Sequence, residues 1–221
     1  MKRFMLSAFL LVAFAIAGFC QQHARLSFAV SPSINWMNST FSGAENEKAI
    51  LGYDFGLNGD FYFSEDERYS VFSGIQIINT GGEISYHSAS DFNFSGVVLP
   101  SLSQIKYRLR YVEIPLAIKL KTDQFHRNRY WGLFGLSTMI NIEARGDSND
   151  GQLRKASLGD EINLFNLAMC VGAGFDFDLG GSNSVTAGLI FQNGLTDVTT
   201  NNAISDKTII NSLKLKIGLI F

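Results

Sequence analysis

The chain has 221 residues, of which 46 % are hydrophobic and 17 % charged, and its formal net charge is −2. This balance excludes a disordered chain and leaves no basic footprint for nucleic acid. Phenylalanine occurs 19 times and glycine 21 times against three prolines, which suits a β protein whose strands approach one another closely.

The N-terminus reads MKRFMLSAFLLVAFAIAGFCQQ. Lys2 and Arg3 precede an apolar run over 5–19, the pattern of a secretory signal peptide. That run falls short of the roughly 20 residues a spanning helix needs, and no later run comes close. Gly18 and Cys20 stand at the −3 and −1 positions, so residues 1–20 are expected to be a leader and 21–221 the mature domain. Cys20 also invites lipid attachment, although Phe19 stands where such a site takes Gly, Ala or Ser. Cys170 is then the lone thiol, which closes no intramolecular disulfide. This suits a bacterial envelope protein and not a disulfide-stapled secreted domain.

Eight period-two stretches follow, the signature of strands with one apolar face. The first, LSFAVSPSINW, sets Leu26, Phe28, Val30, Ile34 and Trp36 opposite Ser27, Ala29, Ser31, Ser33 and Asn35. In the second, LGYDFGLNGDFYF, Leu51, Tyr53, Phe55, Leu57, Phe61 and Phe63 oppose Gly52, Asp54, Gly56, Asn58 and Asp60. A third, over 70–79, alternates less cleanly. The fourth, over 106–121, contains YVEIPLAIKL, with Val112, Ile114, Leu116, Ile118 and Leu120 against Glu113, Pro115, Ala117 and Lys119. In the fifth, Phe134, Leu136, Ile140 and Ile142 share a phase. The sixth sets Phe165, Leu167, Met169, Val171, Phe175 and Phe177 against Asn166, Cys170, Gly172, Gly174 and Asp176. The seventh alternates Val185, Ala187, Leu189 and Phe191 with Thr186, Gly188 and Gln192. The eighth, NSLKLKIGLIF, sets Leu213, Leu215, Ile217, Leu219 and Phe221 against Ser212, Lys214, Lys216 and Gly218. No helical period follows the leader, so the class is all-β.

Links after the odd strands are long, spanning about 37–50, 80–105, 145–161 and 196–209, whereas those after the even strands are short. Long loops at one end and tight turns at the other predict an antiparallel up-and-down transmembrane barrel of about eight strands, with short periplasmic turns and long external loops. A soluble lipocalin-like barrel that binds a small apolar ligand shows the same alternation. Two features favour the membrane barrel. The polar face carries Gly52, Gly56, Gly172, Gly174, Gly188 and Gly218 with few charges, and an eight-stranded lumen has room only for side chains. The charges on that face, Asp54, Asp60, Glu113, Lys119, Asp176, Lys214 and Lys216, are expected to pair inside, since buried ions need partners. Aromatic residues near strand ends predict two interfacial girdles: Phe61, Tyr62, Phe63, Tyr69, Tyr130, Trp131, Phe175 and Phe177 at the turn side, and Trp36, Tyr107 and Tyr111 at the loop side.

On the stretches YVEIPLAIKL (111–120), GFDFDL (174–179), GLIFQNGLTDV (188–198) and LKIGLIF (215–221), the chain resembles the PorT-type outer-membrane β-barrel proteins of Bacteroidetes-type bacteria. The resemblance spans essentially the whole mature chain. It implies an integral outer-membrane barrel surrounded by outer-membrane lipid, and no single activity; the family's namesake serves a secretion system. Phe221, at the end of an alternating strand, resembles the signal read by the barrel-assembly machinery.

Candidate sites are few. His23, His87 and His126 have no metal-ligand spacing, and nothing calls for a cofactor. His87, Ser88, Ser90 and Asp91 suggest a lipid-modifying barrel enzyme or, more simply, a polar loop. RGDSNDG, over 145–151, holds an integrin-type tripeptide on an expected external loop, and lacks the closing ligand of a calcium loop. FNFSGVVLP is unusually apolar, which makes Phe92, Phe94, Val97, Val98 and Leu99 the best candidate patch for a protein or glycan ligand. The reading is a structural or interaction barrel acting through its external loops. Pro115 has no sheet edge in a closed barrel, and the apolar phase changes between Tyr111 and Val112, so a β-bulge is expected near Tyr111 or at Pro115.

Overall fold

A computed structural model describes residues 24–40, 44–86, 92–94, 97–99, 103–149, 156–200 and 207–221. Eight long strands form the wall: β1 (Ala24–Ser39), β2 (Ile50–Tyr62), β3 (Tyr69–Tyr86), β4 (Ser103–Lys121), β5 (Asn128–Ser148), β6 (Phe165–Gly180), β7 (Asn183–Gly194) and β8 (Thr208–Ile220). Each pairs antiparallel with its sequence neighbours, and β8 returns to β1, so the sheet closes. Closure leaves no strand edge, the condition for crossing hydrocarbon. Turns at 63–68 and 122–127 and the hairpin after β6 close one end. In that hairpin Gly180 and Gly181 take φ of 99° and 70°, values that glycine reaches without cost.

Lipid-facing side chains are those the alternation assigned. Leu51, Leu57, Ile75, Leu116, Phe134, Leu189 and Leu215 project outward and are exposed, while Ser31, Ser33, Asn35, Asp54, Asn58 and Asp60 face a closed interior. Of the expected girdles, Phe61, Phe63, Tyr69, Tyr130, Phe175 and Phe177 face outward, and Trp36 stacks on Phe191 with ring centroids 6.2 Å apart. Tyr62, Trp131, Tyr107 and Tyr111 do not join them; they are buried inside the barrel. Their position on the inward phase outweighs the interfacial preference of the ring.

A membrane strand needs about 9–11 residues, yet β3, β4 and β5 have 18, 19 and 21. The excess is built with inverted polarity. Along β4 the inward phase stays odd throughout, and it changes from Lys119, Pro115 and Glu113 to Tyr111, Leu109, Tyr107 and Ile105. Outward, Val112 gives way to Arg110 and Arg108. Tyr107, Tyr111 and Leu109 join Met37, Ile78, Ile84, Met139 and Leu158 in an apolar plug that fills the upper lumen. Here the surroundings are water, so the barrel becomes apolar inside and polar outside.

This corrects the reading of a phase change at Tyr111. The faces of β4 do not slip; the solvent outside them changes. A bulge does occur beside Tyr111, but the extra residue lies on the neighbouring strand: Arg110 pairs with Glu143 and Tyr111 with Asn141, leaving Ile142 over on β5. Pro115 keeps its register. Toward β3, Ser73 pairs with Leu116 and Gln76 with Glu113, and the two positions between on each strand are unpaired, so the missing N–H falls in a local opening of the ladder.

The long strands also correct two loop assignments. β3 and β4 run on to Tyr86 and from Ser103, and Arg145, Gly146 and Asp147 belong to β5. Gly146 faces inward, where a Cβ would come within 2.6 Å of Leu158, so the tripeptide is extended wall rather than loop tip. Ala44–Lys48 extends the wall by pairing with β3 near Tyr86. Phe92–Phe94 and Val97–Leu99 form a separate two-stranded hairpin.

The height of the bilayer on this wall can be tested by charge insertion. Leu116→Arg, in the apolar band, is expected to destabilise by about 2–4 kcal/mol and Ile142→Arg, at the polarity switch, by about 0–1 kcal/mol. Urea unfolding in phosphatidylcholine vesicles measures both; equal costs would remove the boundary from the bulge.

Candidate functional site

The lumen below the plug holds four carboxylates and four lysines, each at most 8 % exposed. Their inward phase on β2, β4, β6 and β8 brings them together. Near the turn end, Lys119 donates to Asp60 at 2.8 Å, and Lys121 lies 2.8 Å from Asp176 and 3.2 Å from Asp60. Lys121 also donates to the Tyr62 hydroxyl at 2.7 Å. Higher up, Lys214 on β8 reaches Glu113 on β4 at 2.9 Å and Asp54 on β2 at 3.2 Å. Gln192 donates to Glu113 and, at 3.2 Å, to Ser137. Asp54, Glu113 and Lys214 thus form one cluster, and Asp60, Lys119 and Asp176 another.

Lys121 is the residue that joins the second cluster and was not among the expected ones. Its odd number places it in phase with Glu113 and Lys119; it is the last residue of the strand, where alternation has no following residue to fix its face. Between the clusters, the Lys216 ammonium lies 4.2 Å from the centre of the Phe72 ring, and Lys119 lies 5.2 Å from that of Trp131. Such contacts stabilise a cation with little water around it. Trp131 donates its indole N–H to Thr186 at 3.2 Å. Its ring fits because Gly174 and Gly188 lack side chains: a Cβ on either would lie 2.5 or 2.4 Å from it.

What remains open is small. A cavity of about 20 Å³ lies beside Glu113, Pro115, Lys214 and Lys216, the size of about one water. A pocket of about 150 Å³ at the turn-side mouth is lined by Arg25, Lys121, Arg127, Arg129, Asp176 and Asp178. There Glu67, in the 63–68 turn, pairs with Arg25 at 3.0 Å and Arg129 at 2.8 Å. Partial burial raises its carboxyl pKa, but the two guanidiniums outweigh that and hold it below the usual range. This ties the turn to β1 and β5.

Among the described residues no group of His, Cys, Asp and Glu could hold a metal ion. His126 packs edge-on to Phe125 in the 122–127 turn, with ring centres 4.7 Å apart. His23, His87, Ser88, Ser90, Asp91 and the expected leader 1–20 with Cys20 lie outside the described residues, as do the side chains of Phe92, Phe94, Val97, Val98 and Leu99. The lumenal arrangement neutralises and braces: its carboxylates are held by lysines, and Asp176 also borders the pocket at the turn-side mouth.

A family model described as outer membrane protein beta-barrel domain matches residues 19–200. Among solved structures, Neisserial surface protein A is similar at 12 % identity, over 90 % of this chain and 98 % of that one, with a TM-score of 0.50. OprG from Pseudomonas aeruginosa (12 %, 90 % and 95 %, 0.46) and Ail of Yersinia pestis (13 %, 90 % and 100 %, 0.45) are similar as well. At these identities the likeness is one of fold. No curated protein matches the chain.

Removing one member of a buried ion cluster leaves the others uncompensated, at a cost of about 3–5 kcal/mol. Lys214→Met should destabilise by that much in urea unfolding, and the added changes Asp54→Asn and Glu113→Gln should restore part of it; a single variant within about 1 kcal/mol of wild type would show the cluster to be idle. Glu67→Gln should cost at most about 1 kcal/mol at pH 7, being a partly exposed pair. Because the Glu67 pKa is depressed, its contribution is full above the ordinary value near 4.3 and is lost as pH falls through the folded value. The unfolding midpoints of wild type and variant should therefore converge as pH falls below that ordinary value; a constant gap would assign the effect to packing.

Proposed function

The chain belongs to the outer membrane protein β-barrel domain family, and from that premise we propose that it is a structural and interaction barrel working through its external loops rather than its lumen. The observation that carries this is the filled interior: paired charges below and an apolar plug above. An eight-stranded barrel so packed has no aqueous path. The surfaces left for recognition are the extended wall of β3, β4 and β5 and the loops above it, with Phe92, Phe94, Val97, Val98 and Leu99 as the apolar patch for a protein or glycan ligand.

We further propose that the chain is a PorT-type member, exported by a leader at 1–20 and inserted by the barrel-assembly machinery through the strand that carries Phe221. The paired backbones of Phe221 and Leu26 support the last point, since they close the barrel at that strand.

Membrane fractionation followed by gel migration with and without boiling, combined with planar-bilayer recording, tests the reading. The protein should sit in the outer-membrane fraction, shift on boiling and pass no steady current. Replacing residues 87–102 with a short Gly-Ser turn should keep the shift and abolish binding to a panel of glycans and extracellular proteins. A soluble protein sinks the membrane reading; sustained conductance, or full binding without that loop, sinks the loop-based one.

A further inference from the structure

The outward face of the tall wall changes character over two rows of side chains. In the lower row, cross-strand pairing places Tyr53, Asn79, Arg110 and Glu143 side by side from β2 to β5. In the next row Gly81, Arg108 and Arg145 are neighbours, with Leu51 two residues on from Tyr53 along β2. Successive outward rows stand about 7 Å apart. A groove of about 390 Å³ lies along these rows, with Leu51 and Tyr53 at its apolar side and Arg108, Arg110 and Arg145 at its charged side.

Three features of this groove favour an anion held at the membrane surface. Beside the groove, Gly81 (φ 148°) is the cross-strand neighbour of Arg108 and presents no side chain toward it; a Cβ there would come within 2.1 Å of the Tyr107 carbonyl oxygen, so the position must stay bare. Arg108 and Arg145 are directly opposed across the strands, an arrangement that is unfavourable for like charges unless an anion lies between them. Three guanidiniums share two carboxylates: Arg108 pairs with Asp147 at 3.0 Å, and Arg110 and Arg145 both pair with Glu143. All three arginines are about half exposed, which leaves N–H donors free for a further acceptor.

We propose that this groove binds a phosphorylated lipid of the outer leaflet. Its phosphate is held by Arg108, Arg145 and Arg110, and its acyl chains lie on Leu51, Tyr53 and Phe55. Guanidinium forks match phosphate oxygens two at a time, and the apolar band directly below fixes the level at which a headgroup meets the wall. A free anion would gain nothing from Leu51 and Tyr53; a zwitterionic lipid would bring its own cation to the arginines. The inference rests on the outer-membrane reading and adds a ligand on the lipid side of the wall, apart from the loops.

The test uses the full mature chain refolded into phosphatidylcholine vesicles with a minor fraction of bis-phosphorylated lipid A. The protein is then extracted in mild nonionic detergent, and the retained lipid is quantified by mass spectrometry. Wild type should retain lipid A in preference to phosphatidylcholine, and Arg108→Gln with Arg145→Gln should reduce that about tenfold or more, the loss expected for charge-assisted hydrogen bonds. Leu51→Glu, at an exposed position, should reduce it too by placing a competing carboxylate in the groove. Dephosphorylated lipid A should not be retained, and inorganic phosphate should not displace the intact lipid. Unchanged retention in the arginine variant, equal retention of the dephosphorylated lipid, or full displacement by inorganic phosphate each overturns the proposal. A boiling-dependent gel shift in every variant certifies the barrel, so a protein that inserts yet selects no lipid fails this inference alone.

Discussion

Hydrocarbon accepts no unpaired backbone group and no exposed charge, and every other feature of this molecule adjusts to that fact. The sheet must close, which sets its ends against each other along β1 and β8. Closure at eight strands leaves a lumen one side chain wide. Side chains there must be small or must interlock, as Gly174 and Gly188 do with Trp131. Polar residues displaced from the wall have nowhere else to go, so the lumen collects them and must neutralise them within itself.

The ion clusters do this across the lumen rather than along it. Lys214 and Glu113 belong to strands on opposite sides of the barrel, and Lys121 reaches from β4 to both β2 and β6. Buried pairs of this kind often add little net stability compared with apolar packing. What they do supply is selectivity among registers: a one-residue slip of any strand would turn its charge into lipid. Above the bilayer the constraint is lifted and the design reverses within the same strands. β4 carries Lys119 and Tyr107 on one face, and each suits the layer in which it sits.

That reversal explains which parts of the structure were legible in the sequence. Strand number, closure, the lipid face and the inward set from Asp54 to Lys216 follow from alternation, because one environment holds over each segment. Alternation reports the difference between two faces, not the path of the backbone. Where the outside changed from lipid to water, the apolar residues changed face while the strand continued. Alternation alone therefore ends β3 too early, begins β4 too late, and places Arg145 to Asp147 in a loop. Tyr107 and Tyr111 were assigned to the interface for the same reason. The bulge was expected at the correct height but on the wrong strand, since its cause, Ile142, lies on the partner that YVEIPLAIKL cannot report. Lys121 escaped because a lysine at a strand end resembles a turn residue.

The placement of the two tryptophans has an optical consequence. Trp36 stands on the lipid side near the polarity switch, stacked on Phe191, whereas Trp131 lies inside the lumen at the other end of the wall, among lysines. The native fluorescence thus has two separable sources, one within reach of a brominated acyl chain and the other screened from both lipid and water. Light from one chain reports independently on contact with the bilayer and on the integrity of the packed interior.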